Sequence, residues 1–314
     1  MLDWLLLVAG LVLLIFSGEA LVKGAVGVAI KYKVSTLVIG MTIVSAGTSA
    51  PELFVSLKAA LEGHPEISVG NVVGSNIANI SIILGLTALI FPIRIQLATL
   101  RLDWPAMFIA SILLYLFSLN EIIGFWEGVV FVLFVISFSV YIIVQSKKNN
   151  ATESNQEADE IIESAKGTAF LKAVFFIIIG CVGLVFGSEF LLKGAVGIAK
   201  GYGISERIIG LTLVAFGTSV PELITSCVAA FRKQSDIAIG NLIGSNLFNI
   251  LFILGTTAVI KDIPISKSSF FTDIYFMLGV SFLIFPLMFF GLKLNRIKGA
   301  ILFLYYITYV FLLF

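Results

Sequence analysis

Gly47-Thr48-Ser49-Ala50-Pro51-Glu52 places a carboxylate, two hydroxyls and a helix-breaking proline inside an otherwise apolar segment. The pattern returns as Gly217-Thr218-Ser219-Val220-Pro221-Glu222. Its flanks return too, Ile39 to Ala60 matching Ile209 to Ala230 at an offset of 170 residues. Proline lacks an amide hydrogen and its ring clashes with the preceding turn, so each copy predicts a helix broken or kinked just before its glutamate. Carbonyls freed there need partners. Within a bilayer such backbone is tolerated only where it is buried in protein or lines a polar cavity. A charged glutamate in hydrocarbon costs about 2.5 kcal/mol or more. A proline kink with a packing glutamate explains one copy adequately; two copies with paired acids point to one shared polar site.

The rest of the chain fits that setting. Of 314 residues, 59% are hydrophobic and 12% charged, and the mean hydropathy is +1.09. This exceeds the apolar share of a soluble domain and predicts an all-α polytopic membrane protein. A net charge of +1 without a basic cluster gives no case for a nucleic-acid partner. Cys181 and Cys227 lie in apolar spans and form no metal or disulfide pattern.

Leu2 to Ala29 is apolar and interrupted by Glu19 and Lys23. A signal peptide would look similar at first, but Glu19-x-x-x-Lys23-Gly24-Ala25-Val26-Gly27 recurs at Glu189-x-x-x-Lys193-Gly194-Ala195-Val196-Gly197, so the segment belongs to the fold. Glu19 and Lys23 have the four-residue spacing of an ion pair, which favours mutual neutralisation over ion binding. A second span, Ser35 to Leu61, holds the first break. The third opens Gly70-Asn71-Val72-Val73-Gly74-Ser75-Asn76-Ile77-Ala78-Asn79, echoed by Gly240-Asn241-Leu242-Ile243-Gly244-Ser245-Asn246-Leu247-Phe248-Asn249. Asn71, Ser75 and Asn79 share one helix face, and Gly70 and Gly74 form a small-xxx-small pair for close helix approach. Leu100 to Ser118 and Gly124 to Val144 read as apolar scaffold without buried charge.

Residues 1–146 thus form a first five-helix repeat and 168–314 a second, with spans near 168–199, 205–231, 237–260, 270–290 and 297–314. Residues 147–167 form an acidic linker, expected as a solvated tether. Ten spans result. An odd number of spans per half means that the halves cross in opposite directions, an inverted repeat that brings both breaks to mid-membrane. With the N-terminus outside, the inner side collects Lys31, Lys33, Arg94, Arg101, Lys147, Lys148, Lys166, Lys172, Arg232, Lys233, Lys293, Arg296 and Lys298. The outer side keeps Lys58, Lys200, Arg207, Lys261 and Lys267. The excess predicts both termini outside and a cytoplasmic linker, in a multi-pass cell-membrane protein.

Two GTSxPE segments, each followed by GNxxGSNxxN at mirrored positions, resemble the alpha repeats of the sodium/calcium exchanger family, prokaryotic type, within the cation/calcium exchanger superfamily. The resemblance implies an antiporter that expels calcium against inward sodium flow by alternating access. It implies that Glu52 and Glu222 bridge calcium and sodium sites. Thr48, Ser49, Thr218 and Ser219 would add hydroxyl or carbonyl oxygens, with the carbonyls of Ser45 and Ala215 nearby. Ser75 and Ser245 would complete outlying sodium sites, and Asn79 and Asn249 would line the centre. The ion chemistry agrees: calcium takes six to eight oxygens, and this pool supplies them without sulfur or imidazole. Two carboxylates balance one divalent or two monovalent ions. No cofactor is expected beyond the transported Ca2+ and Na+, and the lipid bilayer is the only other partner read from the sequence, which leaves the oligomeric state open.

A cation/proton antiporter of this superfamily would call for an acid in the GNxx segment, where Gly74 and Gly244 stand. A potassium-dependent exchanger would call for an acid at Asn249. Exchange of another divalent cation remains open. An enzyme is not expected, because the lone His64 leaves no zinc site or Ser-His pair.

Overall fold

The computed structural model describes residues 2–153, 168–202, 217–265 and 267–313. They form helices α1 (Leu2–Tyr32), α2 (Thr36–Thr48), α3 (Ala50–Leu61), α4 (Ile67–Ile90), α5 (Thr99–Ser118), α6 (Phe125–Glu153), α7 (Thr168–Gly201), α8 (Val220–Phe231), α9 (Ser235–Ile260), α10 (Lys267–Phe289) and α11 (Arg296–Leu313). Among the described residues seven helices are long and apolar enough to cross a membrane, or eight if α2 and α3, bent by 47°, make one span. α8 is apolar but shorter, and residues 203–216 before it lie outside the described set. Outward-facing apolar side chains such as Trp126 and Phe311, 74% and 80% exposed, suit a lipid surround. The chain is an integral, multi-pass membrane protein.

Burial orders the helices. The most apolar stretch of α9 is 89% buried and that of α4 72%, against 22% for α6 and α7. α4 and α9, which carry the GNxxGSNxxN motifs, are therefore the inner helices.

Between apolar helices in lipid there is no hydrophobic gain from association, so close packing of small residues has to hold them. α1 and α7 show this. A Cβ at Gly24 would come within 2.6 Å of the Ala173 carbonyl oxygen, and one at Gly180 within 2.8 Å of the Leu21 backbone nitrogen. Gly10 packs on Leu191 in the same way. Early residues of α1 thus meet late residues of α7, so the two run antiparallel. Glu19 and Lys23 form the expected pair at 3.0 Å, and Arg232 at the end of α8 also donates to Glu19.

Four two-residue strands tie the helix ends. β1 (Ile93–Arg94) pairs antiparallel with β4 (Lys293–Leu294), and β2 (Ile122–Ile123) with β3 (Ile263–Pro264). β1 corresponds to β3 at an offset of 170 residues and β2 to β4 at 171, so each ladder joins one half to the other and the two are interchanged by the repeat. The end with β1 and β4 also holds Ser35, whose amide donates to Ser146 at 2.7 Å, and Asp236, which accepts from Gln96 at 2.7 Å and Thr36 at 3.3 Å.

Two expectations are corrected. The span Leu100 to Ser118 does carry a buried acid: Asp103 is only 3% exposed, at the end of the π-helical turn Thr99–Asp103 that opens α5. α9 and α10 pack on this turn and cover it, which the composition of the span does not show. The polar segment after Val144 also begins as helix, because α6 continues to Glu153. The remainder of the expected tether, 154–167, lies outside the described residues.

Candidate ion-binding site

The site begins with the two prolines. Pro51 lies in the first turn of α3 and Pro221 in the first turn of α8, positions where the missing amide hydrogen costs nothing. Ser49 (φ −83°, ψ 6°) and Ser219 (φ −90°, ψ 4°) make the break before each. The Ser49 amide still donates to the Ser45 carbonyl at 2.9 Å, while Leu53 and Leu223 donate to the Ser49 and Ser219 carbonyls at 3.2 Å. Glu52 and Glu222 consequently sit in the first turn of a helix, where the macrodipole favours a carboxylate.

Both acids are buried, Glu52 at 1% and Glu222 at 0% exposure. Each is reached by the hydroxyl of the other break: Ser49 Oγ donates to Glu222 Oε1 at 3.1 Å and Ser219 Oγ to Glu52 Oε1 at 3.3 Å. Ser75 Oγ lies 3.2 Å from Ser219 Oγ, and Ser245 Oγ 3.5 Å from Glu222 Oε1. Thr48 Oγ1 lies 3.5 Å from Ser245 Oγ and 3.1 Å from Asn241 Oδ1. The bonds form two networks, Glu222 with Ser49, Ser245 and Thr48, and Glu52 with Ser219 and Ser75, and each joins a carboxylate to hydroxyls of both copies. Thr218 Oγ1 is buried without a partner. The Ser45 carbonyl is already engaged, by the Ser49 amide and by Thr48 Oγ1 at 3.3 Å. Ala215 lies outside the described residues.

Asn79 opens one π-helical stretch, Asn79–Ile83, and Asn249 lies in another, Phe248–Leu254. Such wide turns are frequent at functional sites. Asn79 Nδ2 donates to Asn246 Oδ1 at 3.1 Å, and Asn249 Nδ2 to Asn76 Oδ1 at 3.2 Å. Sequence reasoning assigns Asn76 and Asn246 no role; their recurrence in both copies of the motif is the signal that marks them. Asn71 and Asn241 turn out to brace the breaks from behind, donating to Ser56 at 2.9 Å and Ser226 at 3.1 Å.

Among the buried side-chain oxygens without a hydrogen-bond partner, most are hydroxyls, but four are carboxylate or amide oxygens in matched pairs from the two copies: Glu52 Oε2 with Glu222 Oε2, and Asn79 Oδ1 with Asn249 Oδ1. All four can only accept when the acids are ionised, and burying an unpaired acceptor costs about 1–3 kcal/mol, more for a charged group. Among the described residues neither glutamate has a Lys or Arg partner. No group of three or more His, Cys, Asp or Glu side chains suited to a metal is present among them either. What the arrangement can do is surround a hard cation with oxygen.

The sodium/calcium exchanger protein family model matches residues 2–144 and again residues 172–314. The chain is 31% identical to the sodium/calcium exchanger MaX1 of Methanosarcina acetivorans, covering 99% of this chain and 98% of that one. It is 34% identical to the inner membrane protein YrbG of Escherichia coli, over 90% and 87% of the two chains. A solved structure of the sodium-calcium exchanger NCX_Mj without sodium or calcium superposes with a TM-score of 0.85 at 30% identity, covering 100% of this chain and 99% of that one. NCX_Mj soaked with both ions gives 0.84. With matches in both halves and full-length relatives above 30% identity, this chain belongs to the sodium/calcium exchanger family.

Proposed function

We propose that this protein is a secondary-active antiporter that exchanges calcium for sodium by alternating access through the oxygen cluster between its two breaks. The observation that carries the reading is the set of four unpartnered buried oxygens, one carboxylate and one amide from each copy, at positions related by the 170-residue offset. The names of MaX1 and NCX_Mj support sodium and calcium as the transported pair.

In this reading Glu52 and Glu222 are shared ligands. Thr48, Ser49, Thr218, Ser219, Ser75 and Ser245 add hydroxyl oxygens, Asn79 and Asn249 amide oxygens, and Ser45 and Ala215 backbone carbonyls. The Ser45 carbonyl would have to give up at least one of its present hydrogen bonds to serve. Two ionised carboxylates cannot face each other unneutralised in a dry site, so occupancy by one Ca2+ or by Na+ ions is mutually exclusive in charge. That exclusivity is the physical basis of exchange. No cofactor enters, since the ions are the cargo.

The ten-span inverted architecture, with repeats at 1–146 and 168–314 and a linker at 147–167, belongs to the same proposal. Antiparallel α1 and α7, the interchanged ladders β1·β4 and β2·β3, the reciprocal Ser49–Glu222 and Ser219–Glu52 bonds and the doubled family match all support it. The clustering of Lys31, Lys33, Arg94, Lys147 and Lys293 near one end supports outside termini and a cytoplasmic linker.

Calorimetric titration of the purified protein tests the site. Calcium binding should weaken as sodium is added, and Glu222→Gln should abolish most of the calcium heat. Calcium binding indifferent to both would overturn the proposal.

A further inference from the structure

The geometry points to Asn76 and Asn246 as positioning residues that lock the side-chain amides of Asn79 and Asn249 with their oxygens, not their NH2 groups, turned to the transported cation. The inference rests on the proposed exchange site and assigns a role to two asparagines outside its ligand set.

An asparagine side chain is a poor cation ligand unless its orientation is fixed, because a half-turn about the last bond exchanges an acceptor for a donor. The fixing here starts from backbone. A main-chain carbonyl can only accept, and Asn246 Nδ2 donates to the Asn76 carbonyl at 3.1 Å. Asn246 must therefore present Oδ1 on its other side, where Asn79 Nδ2 meets it at 3.1 Å. Turning Asn79 over would set two acceptor oxygens against each other at that distance, so Asn79 is held with Oδ1 facing away. The mirrored chain repeats the logic. Asn76 Nδ2 reaches the Asn246 carbonyl at 3.4 Å, and Asn76 Oδ1 accepts from Asn249 Nδ2 at 3.2 Å. The two chains interlock, each asparagine anchoring on the other's backbone and orienting the other half's ligand.

Burial makes the lock stiff. Asn76 is 0% and Asn246 1% exposed, so no water competes for these bonds. The products of the lock are Asn79 Oδ1 and Asn249 Oδ1, both buried and both without a partner. A network that uses every NH2 group and leaves only two like-signed oxygens unsatisfied is arranged for a cation. Partners that orient ligands in this way typically contribute about 10–100-fold in metal affinity.

The test is a double-mutant cycle on calcium transport by the full chain in proteoliposomes, with calcium binding measured by calorimetry. Asn246→Leu keeps the volume but cannot accept from Asn79. It should raise the calcium KM about tenfold or more, with a smaller change in kcat. In an Asn79→Asp background both terminal atoms are oxygens, there is no orientation left to fix, and one of them faces the acceptor Asn246 Oδ1, so adding Asn246→Leu should leave KM within about twofold or lower it. An equal loss in both backgrounds, or a wild-type KM for Asn246→Leu alone, would overturn the positioning role. If Asn246→Leu does not fold, the mirrored cycle of Asn76→Leu with Asn249→Asp decides by the same criterion. Asn79→Ala separates the two claims: unchanged calcium affinity there sinks the ligand assignment itself, whereas a weakened Asn79→Ala beside a normal Asn246→Leu sinks only the lock.

Discussion

Glu52→Gln removes one unit of charge from the centre while keeping nearly the same shape, and its effect on the two ions should differ. Glu52 is buried, with Oε1 held by Ser219 and Oε2 unpartnered. Glutamine can still accept from Ser219, so folding should survive and the loss should be electrostatic. A calcium ion sits about 2.4 Å from a ligating oxygen. Even with bulk-water screening, which is the most conservative choice, one charge at that distance contributes about 3.5 kcal/mol to a divalent ion and about 1.7 kcal/mol to a monovalent one. Those energies correspond to about 300-fold and about 20-fold in affinity. The variant should therefore lose calcium affinity about 20 times more severely than it loses affinity for a sodium ion bound at the same carboxylate. The assay is radioactive calcium uptake into sodium-loaded proteoliposomes across calcium concentrations, with sodium added outside as competitor. A folded Glu52→Gln protein with wild-type calcium KM, or with equal losses for both ions, would refute the reasoning.

Three further outcomes follow from separate parts of the molecule. A Cβ at Gly244 would come within 2.6 Å of the Met41 carbonyl and 2.8 Å of Ser45 Oγ. Gly244→Ala should force α9 off α2, cost about 1–3 kcal/mol, and lower both Tm and transport; an unchanged melting curve would contradict the packing. Because Asn79 and Asn249 are neutral, transport should proceed without potassium, and Asn249→Asp should shift preference toward calcium over sodium, measured as the ratio of their competing affinities. In a background lacking Cys181 and Cys227, a cysteine at position 154 (Ser154→Cys) should resist an impermeant thiol reagent applied outside intact cells; rapid labelling would reverse the proposed orientation.

The breaks were legible because proline chemistry is local: Pro51 and Pro221 dictate where the helices stop, whatever surrounds them. Convergence of Glu52 with Glu222 was legible through the repeat, since two costly acids at equivalent positions need a common explanation. The Glu19–Lys23 pair followed from helix spacing alone. What sequence could not supply was the pairing of faces across the halves. Nothing local distinguishes Asn76, which reaches the Asn246 backbone, from Asn71, which braces Ser56. Both stand in the same motif, and only the crossing of α4 and α9 assigns them. Asp103 escaped for a related reason, because burial at a span end depends on the neighbouring helices. The π-helical turns at Asn79 and Asn249 have no composition signature, so the widened backbone at the centre became visible only in three dimensions.

The central claim is that sodium moving down its gradient drives calcium the other way through this chain. Purified protein in sealed vesicles should be given outward gradients of sodium, potassium and protons in turn, with radioactive calcium outside. The account predicts calcium uptake with the sodium gradient alone, independent of potassium and lost in Glu222→Gln. Uptake driven by the proton gradient in protein that ignores sodium would contradict it.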